Sequence, residues 1–246
     1  MVRGLDMFRT WFGKFSDQYV LIGGTAASLV MNEAGVDFRQ TKDFDVVLHI
    51  EVLSSEFVAT FWEFVRAGGY EIRQAEDTGK PRLFRFLKPA QEDFPYMIEL
   101  FARAPDNIEI ASGSTLTPIP ADELVSSLSA ILLDDEYYDF IFANRRVVDG
   151  LPVITEVGLI PLKAQAWLNL SAAKEAGAAI NSRNIRKHLN DMVTLVGLLQ
   201  PGLSASVGPK IKEDLARLME LTRHESTSRE SLTTAYERIR ATYQIL

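Results

Sequence analysis

Three carboxylates and a pair of glycines are the residues of this chain whose types and spacing could do chemistry. Asp43 and Asp45 stand in Thr41-Lys42-Asp43-Phe44-Asp45, which runs into the apolar Val46-Val47-Leu48. Alternate residues of a strand share a face, so both acids point one way while Phe44 and Val46 point toward a core. Neighbouring like charges repel at neutral pH, and a hard divalent cation such as Mg²⁺ makes the pair favourable. The alternative is a solvated strand start with two surface acids. A third acid, Glu99, lies in the otherwise apolar Pro95-Tyr-Met-Ile-Glu-Leu-Phe101, where packing alone gives no reason for a carboxylate. Asp43, Asp45 and Glu99 together form a ligand set able to hold two metal ions for an in-line phosphoryl displacement, with Glu99 also suited to act as base on an incoming hydroxyl. The other possibility for Glu99 is an ion pair with Arg85 or Arg103.

The elements that must position these acids begin upstream. Tyr19–Ile22 is a short apolar run suited to a buried strand, Gly23 and Gly24 break it, and Thr25–Asn32 has the composition of a packed helix. Glycines at a strand-to-helix junction let the backbone approach a ligand closely. The helix N-terminus adds unpaired N–H groups and positive potential for a phosphate. Most Gly-Gly pairs only end strands, so this one gains meaning from the acids that follow it. Arg39 and Lys42 flank the acidic pair and could steer phosphates, although Lys42 alternates to the face opposite both aspartates if the strand has already begun there. His49 shares their parity and reads as a strand residue.

Gly23-Gly24, Arg39-x-Thr41-Lys42-Asp43-Phe44-Asp45 and the later Glu99 resemble the signature of the DNA polymerase β-type nucleotidyltransferase superfamily. Within it the chain resembles the AbiEii-type nucleotidyltransferases, the toxin components of abortive-infection and related toxin–antitoxin pairs. Leu159-Ile-Pro-Leu-Lys-Ala-Gln-Ala-Trp-Leu168 and Ile185-Arg-Lys-His-Leu-Asn-Asp191 look like that family's lysine-bearing and aspartate-bearing helical motifs. The resemblance runs from about Tyr19 to Leu199. It implies a Mg²⁺-dependent enzyme, with two ions, that moves a nucleotidyl group from an NTP to an acceptor hydroxyl. It implies catalytic roles for Asp43, Asp45, Glu99, Lys163 and Asp191, metal ligation by the first three, and nucleotide binding by Gly23, Gly24, Thr25, Arg39 and Lys163. Implied acceptors are a tRNA 3′ end or a protein hydroxyl, with an antitoxin as partner. Other readings of the same site are an aminoglycoside- or lincosamide-type transferase and a non-catalytic nucleotide-binding module. Lys163 could instead be an exposed helix lysine, and Asp191 could pair with Lys187 one turn away. Two departures stand out: many superfamily members carry Gly-Ser where this chain has Gly23-Gly24, so a hydroxyl contact to phosphate falls to Thr25 or is absent, and the stretch from Gly24 to Asp43 is long, with a loop around Gly35–Gln40.

The global numbers narrow the class. At 246 residues and 47% hydrophobic, the chain can bury a full core. Without cysteine it has no disulfide or thiolate metal site, and its three histidines, at 49, 188 and 224, are too scattered for a zinc enzyme. No signal peptide is visible and no apolar run approaches the roughly 20 residues that cross a bilayer, so a cytoplasmic protein without membrane contact is expected. The net charge of −7 argues against a broad nucleic-acid surface. A local one remains open at Arg183, Arg186, Lys187 and His188, whereas Arg223, Arg229, Arg238 and Arg240 are nearly balanced by neighbouring acids.

Periodicity orders the remainder. A short helix over about 5–15 precedes the first strand, Ser54–Gly68 reads as a helix, and Arg82–Leu87 and Tyr96–Phe101 read as strands. Asp149-Gly150 between apolar pairs predicts a hairpin over 145–154, with Pro152 confining its arm to an edge. From Pro161 onward the pattern is helical, with core stripes at 185–199 and 232–243. The expected architecture is an α/β (α+β) polymerase β-type core with a mixed sheet over residues 1–155, followed by a helical domain over 156–246.

Overall fold

The computed structural model describes residues 2–74, 83–104, 116–118, 129–223 and 232–245. The chain divides into two compact units, Met1–Ile154 and Thr155–Leu246. The first is built on a mixed sheet and the second is helical, the α/β (α+β) class that the periodicity predicts.

The first unit runs α1 (Leu5–Phe12), a short 3-10 turn, β1 (Tyr19–Ile22), α2 (Gly23–Glu33), β2 (Asp43–Leu48), α3 (Ser55–Gly68), β3 (Glu71–Gln74), β4 (Leu83–Leu87) and β5 (Met97–Ala102). It continues with β6 (Leu116–Pro118), β7 (Ser129–Leu132), α4 (Asp135–Ala143), β8 (Arg145–Val148) and β9 (Leu151–Ile154). The strands pair in the order β3-β4-β5-β2-β1-β9-β8, with β7 also on β5 and β6 on β7. β2 is antiparallel to β1 and parallel to β5, so the first motif and the Glu99 strand are direct neighbours. What fixes this face-up arrangement is the core behind it. Phe44 of β2 is fully buried, its ring centroid 5.1 Å from that of Phe8 in α1. Phe12, Phe57, Phe61 and Phe64 of α1 and α3 and Tyr19 of β1 join the same aromatic cluster. Buried rings of this size dominate core energetics, and slipping β2 by one residue would turn Phe44 out and both aspartates in. α3 starts where the Ser54 hydroxyl accepts from the Phe57 N–H at 3.1 Å and stops at Gly69 with φ 61°.

One expectation needs correction here. The hairpin forms with Asp149 and Gly150 both at positive φ, the twist-matched turn for two strands. Its Pro152 arm, however, lies inside the sheet: β9 sits between β1 and β8, and β8 is the edge. The missing Pro152 N–H is tolerated because the pairing of β9 with β1 is limited to Leu21 and Val153. The strand expected over Arg82–Leu87 is present over Leu83–Leu87, and Arg82 lies outside the described residues, as do His224 and Arg229.

The second unit packs α5 (Glu156–Glu175), α6 (Ser182–Val196), α7 (Pro209–Thr222) and α8 (Leu232–Tyr243). α5 starts five residues before Pro161, which stands inside it. A proline cannot donate to the carbonyl four residues back, here that of Val157. The buried Tyr243 hydroxyl of α8 donates to that carbonyl at 2.7 Å and replaces the lost bond. Ile185, Leu189, Met192, Val193 and Val196 form the buried stripe of α6. Among the described residues no helix is long and apolar enough to cross a membrane.

Candidate functional site

Strand register gathers the first unit's candidates into one row. Ile22 of β1 pairs with Asp45 of β2, Asp45 with Glu99 of β5, and Glu99 with Arg85 of β4. Asp43 stands two residues before Asp45 on the same face, and both are half-buried. The chain turns at Gly23 directly above Asp45. Gly23 has φ 68°, and a Cβ there would overlap Asp45 Oδ2 and stand 2.9 Å from its Cγ. Only glycine meets both demands, positive φ and a carboxylate in the place of a side chain. At Gly24 a Cβ would meet Thr41 Oγ1 at 2.5 Å and come within 3.7 Å of an Arg39 guanidinium nitrogen. The loop before β2 therefore folds back over the N-terminus of α2, bringing Arg39 beside the glycines although its side chain is exposed.

Thr25 does not present its hydroxyl to this cleft. It is fully buried and donates to the Asp43 carbonyl at 2.7 Å, tying the first turn of α2 to the head of β2. A phosphate at the glycine turn would meet backbone N–H groups at the N-terminus of α2. Lys42, which precedes the first residue of β2, lies on the Tyr96 ring, 4.3 Å from its centroid.

Glu99 takes the ion-pair alternative: its Oε1 accepts from both Nε and an Nη of Arg85, with 12% of the Glu99 side chain exposed. Arg103 pairs instead with Glu51, which also accepts from the Tyr138 hydroxyl at 2.7 Å. Among the described residues no three His, Cys, Asp or Glu side chains converge as a metal site. As placed, the expected trio is therefore a pair, Asp43 and Asp45, with Glu99 one strand away and turned to Arg85. Oxygen-only donors are the kind a hard divalent cation takes.

Lys163 and Asp191 belong to the second unit, where they meet each other. Lys163 Nζ donates to Asp191 Oδ2 at 2.9 Å, and each side chain is 5% exposed. Lys163 is thus no surface lysine, and Asp191 reaches across to α5. Arg183 and Arg186 are exposed, while Lys187 and His188 are half-buried. Arg186 shares a cavity of about 570 Å³ with Trp167, Ser171, Lys174 and Ser182. Thr41 packing on Gly24 was not legible from residue pattern, because it joins a loop to a helix start seventeen positions away.

No family model and no curated protein matches the chain. Among solved structures it is similar to JHP933 from Helicobacter pylori, at 13% identity over 96% of this chain and 87% of that one, with a TM-score of 0.34. The antibiotic-resistance factor ANT(2'')-Ia aligns at 15% identity over 89% of this chain and 99% of its own, with a TM-score of 0.35.

Proposed function

We propose that the chain is a nucleotidyltransferase that moves an NMP group from an NTP to an acceptor hydroxyl. One observation carries this: the turn at Gly23, at the N-terminus of α2, packs directly against the Asp45 carboxylate, so a turn of the phosphate-binding kind and two half-buried carboxylates lie side by side. Asp43 and Asp45 would hold Mg²⁺, which when bound neutralises charge on the triphosphate. The backbone at Gly23 and Gly24 would cradle the phosphates and Arg39 would add a cation beside them. The acceptor oxygen forms a bond to the α-phosphorus as the bond to the pyrophosphate oxygen breaks. Glu99, once free of Arg85, would take the hydroxyl proton. Lys163 and Asp191, bonded to each other between α5 and α6, would brace the helical unit.

The motif resemblance supports a toxin-type enzyme whose acceptor is a tRNA 3′ end or a protein hydroxyl, controlled by an antitoxin. The test incubates wild type and Asp45→Asn with Mg²⁺, each α-labelled NTP in turn, and cellular RNA and protein. Label on RNA or protein from wild type alone supports the proposal. Turnover onto an added aminoglycoside instead would replace the acceptor class, and intact NTP binding with no transfer to any acceptor would refute the enzyme.

A further inference from the structure

Arg85 has no part in the proposed reaction, yet it holds one of its carboxylates. The register Asp45, Glu99, Arg85 across β2, β5 and β4 sets two negative charges and one positive charge in a line. Glu99 is mostly buried beside a second carboxylate, an arrangement that is costly unless a cation compensates it. The guanidinium supplies that cation from one side through two nitrogens on a single oxygen. A divalent ion at Asp43 and Asp45 would supply it from the other. Arg85 is also the more exposed partner, at 37%, so its head can leave for water at little cost.

Resting on the cation site proposed above, we infer that Arg85 is a positioning residue that competes with the divalent cation for Glu99. Its pairing with Glu99 holds that carboxylate away from the aspartates, and cation binding and release of Glu99 by Arg85 are one exchange. Two ligands that compete for one group weaken each other reciprocally, so loss of Arg85 tightens cation binding.

The test measures Mn²⁺ affinity of the full chain by titration calorimetry for wild type, Arg85→Gln, Glu99→Gln and the double variant. The expected result is binding about tenfold tighter in Arg85→Gln, in line with release of a charge-assisted hydrogen bond. Combined with Glu99→Gln, the same change brings no gain. Unchanged or weaker binding in Arg85→Gln overturns the inference. So does an equal gain in the Glu99→Gln background, which would mark a through-space charge effect. Arg85→Lys, which keeps the charge but not the two-nitrogen grip, is expected to bind more tightly than wild type by a smaller factor. It decides the matter if Arg85→Gln does not fold, and no gain there overturns the inference as well. Absence of Mn²⁺ binding in every protein, wild type included, would instead refute the cation site itself.

Discussion

Replacing Gly23 by alanine separates two costs that the structure places on one residue. The first is backbone strain: an L-residue in the left-handed region costs about 1–2 kcal/mol. The second is steric, since the new Cβ overlaps Asp45 Oδ2 and stands 2.9 Å from Cγ and 3.2 Å from Cβ of that side chain. The overlap falls mainly on the end of a side chain with rotatable bonds, so it is relieved by turning Asp45 away, a functional loss more than a loss of stability. Gly35 is the matched control, with φ 70° and nothing within 4 Å of its added Cβ. At about 2–4 °C per kcal/mol for a chain of this size, both variants are expected to lose a few degrees of melting temperature. Only Gly23→Ala is expected to lose Mn²⁺ affinity and NMP transfer, by about tenfold or more. Thermal unfolding by fluorescence and Mn²⁺ titration calorimetry read the two costs separately. If Gly23→Ala binds Mn²⁺ like Gly35→Ala, Asp45 is not the cation ligand that the turn exposes, and the reasoning fails.

Three further outcomes are expected. Lys163→Met removes one partner of an ion pair whose side chains are each 5% exposed, and is expected to cost about 3–5 kcal/mol by denaturant titration, most of it recovered when Asp191→Leu is added. Tyr243→Phe strands the Val157 carbonyl that Pro161 cannot serve, for about 1–3 kcal/mol; Tyr243→Phe in a Pro161→Ala background should cost clearly less, because the helix then bonds that carbonyl itself. Burial pushes the Glu51 carboxyl up, but the Tyr138 hydroxyl, a backbone N–H and Arg103 together outweigh it, and the net shift is downward from 4.5. A depressed carboxyl stabilises the fold above its unfolded value and loses that contribution as pH falls through its folded value. Melting temperature measured from about pH 6 down to about pH 3 should therefore drop less steeply in Glu51→Gln than in wild type; equal slopes would remove Glu51 from the acid response.

Local pattern determined much of this protein. The alternation around Asp43-Phe44-Asp45 set both acids on one face, because a strand has period two and Phe44 had to be buried. The Asp149-Gly150 turn and the stripe of α6 were legible for the same reason, as each depends on residues a few positions apart. Strand order lay beyond that reach. Pro152 read as an edge residue, because which strand closes a sheet depends on pairings between segments far apart in sequence; it took β9 lying between β1 and β8 to reverse it. Helix α5 began earlier than its proline suggested, because the hydroxyl that satisfies Val157 comes from residue 243. At the site, the sequence named Arg85 and Arg103 as equal partners for Glu99. Register across β4 and β5 chose Arg85, and burial turned Lys163 and Asp191 into each other's counter-ions. Residue type and spacing thus supplied the chemistry on offer; which charge meets which was decided by contacts that exist only once the strands are paired and the helices packed.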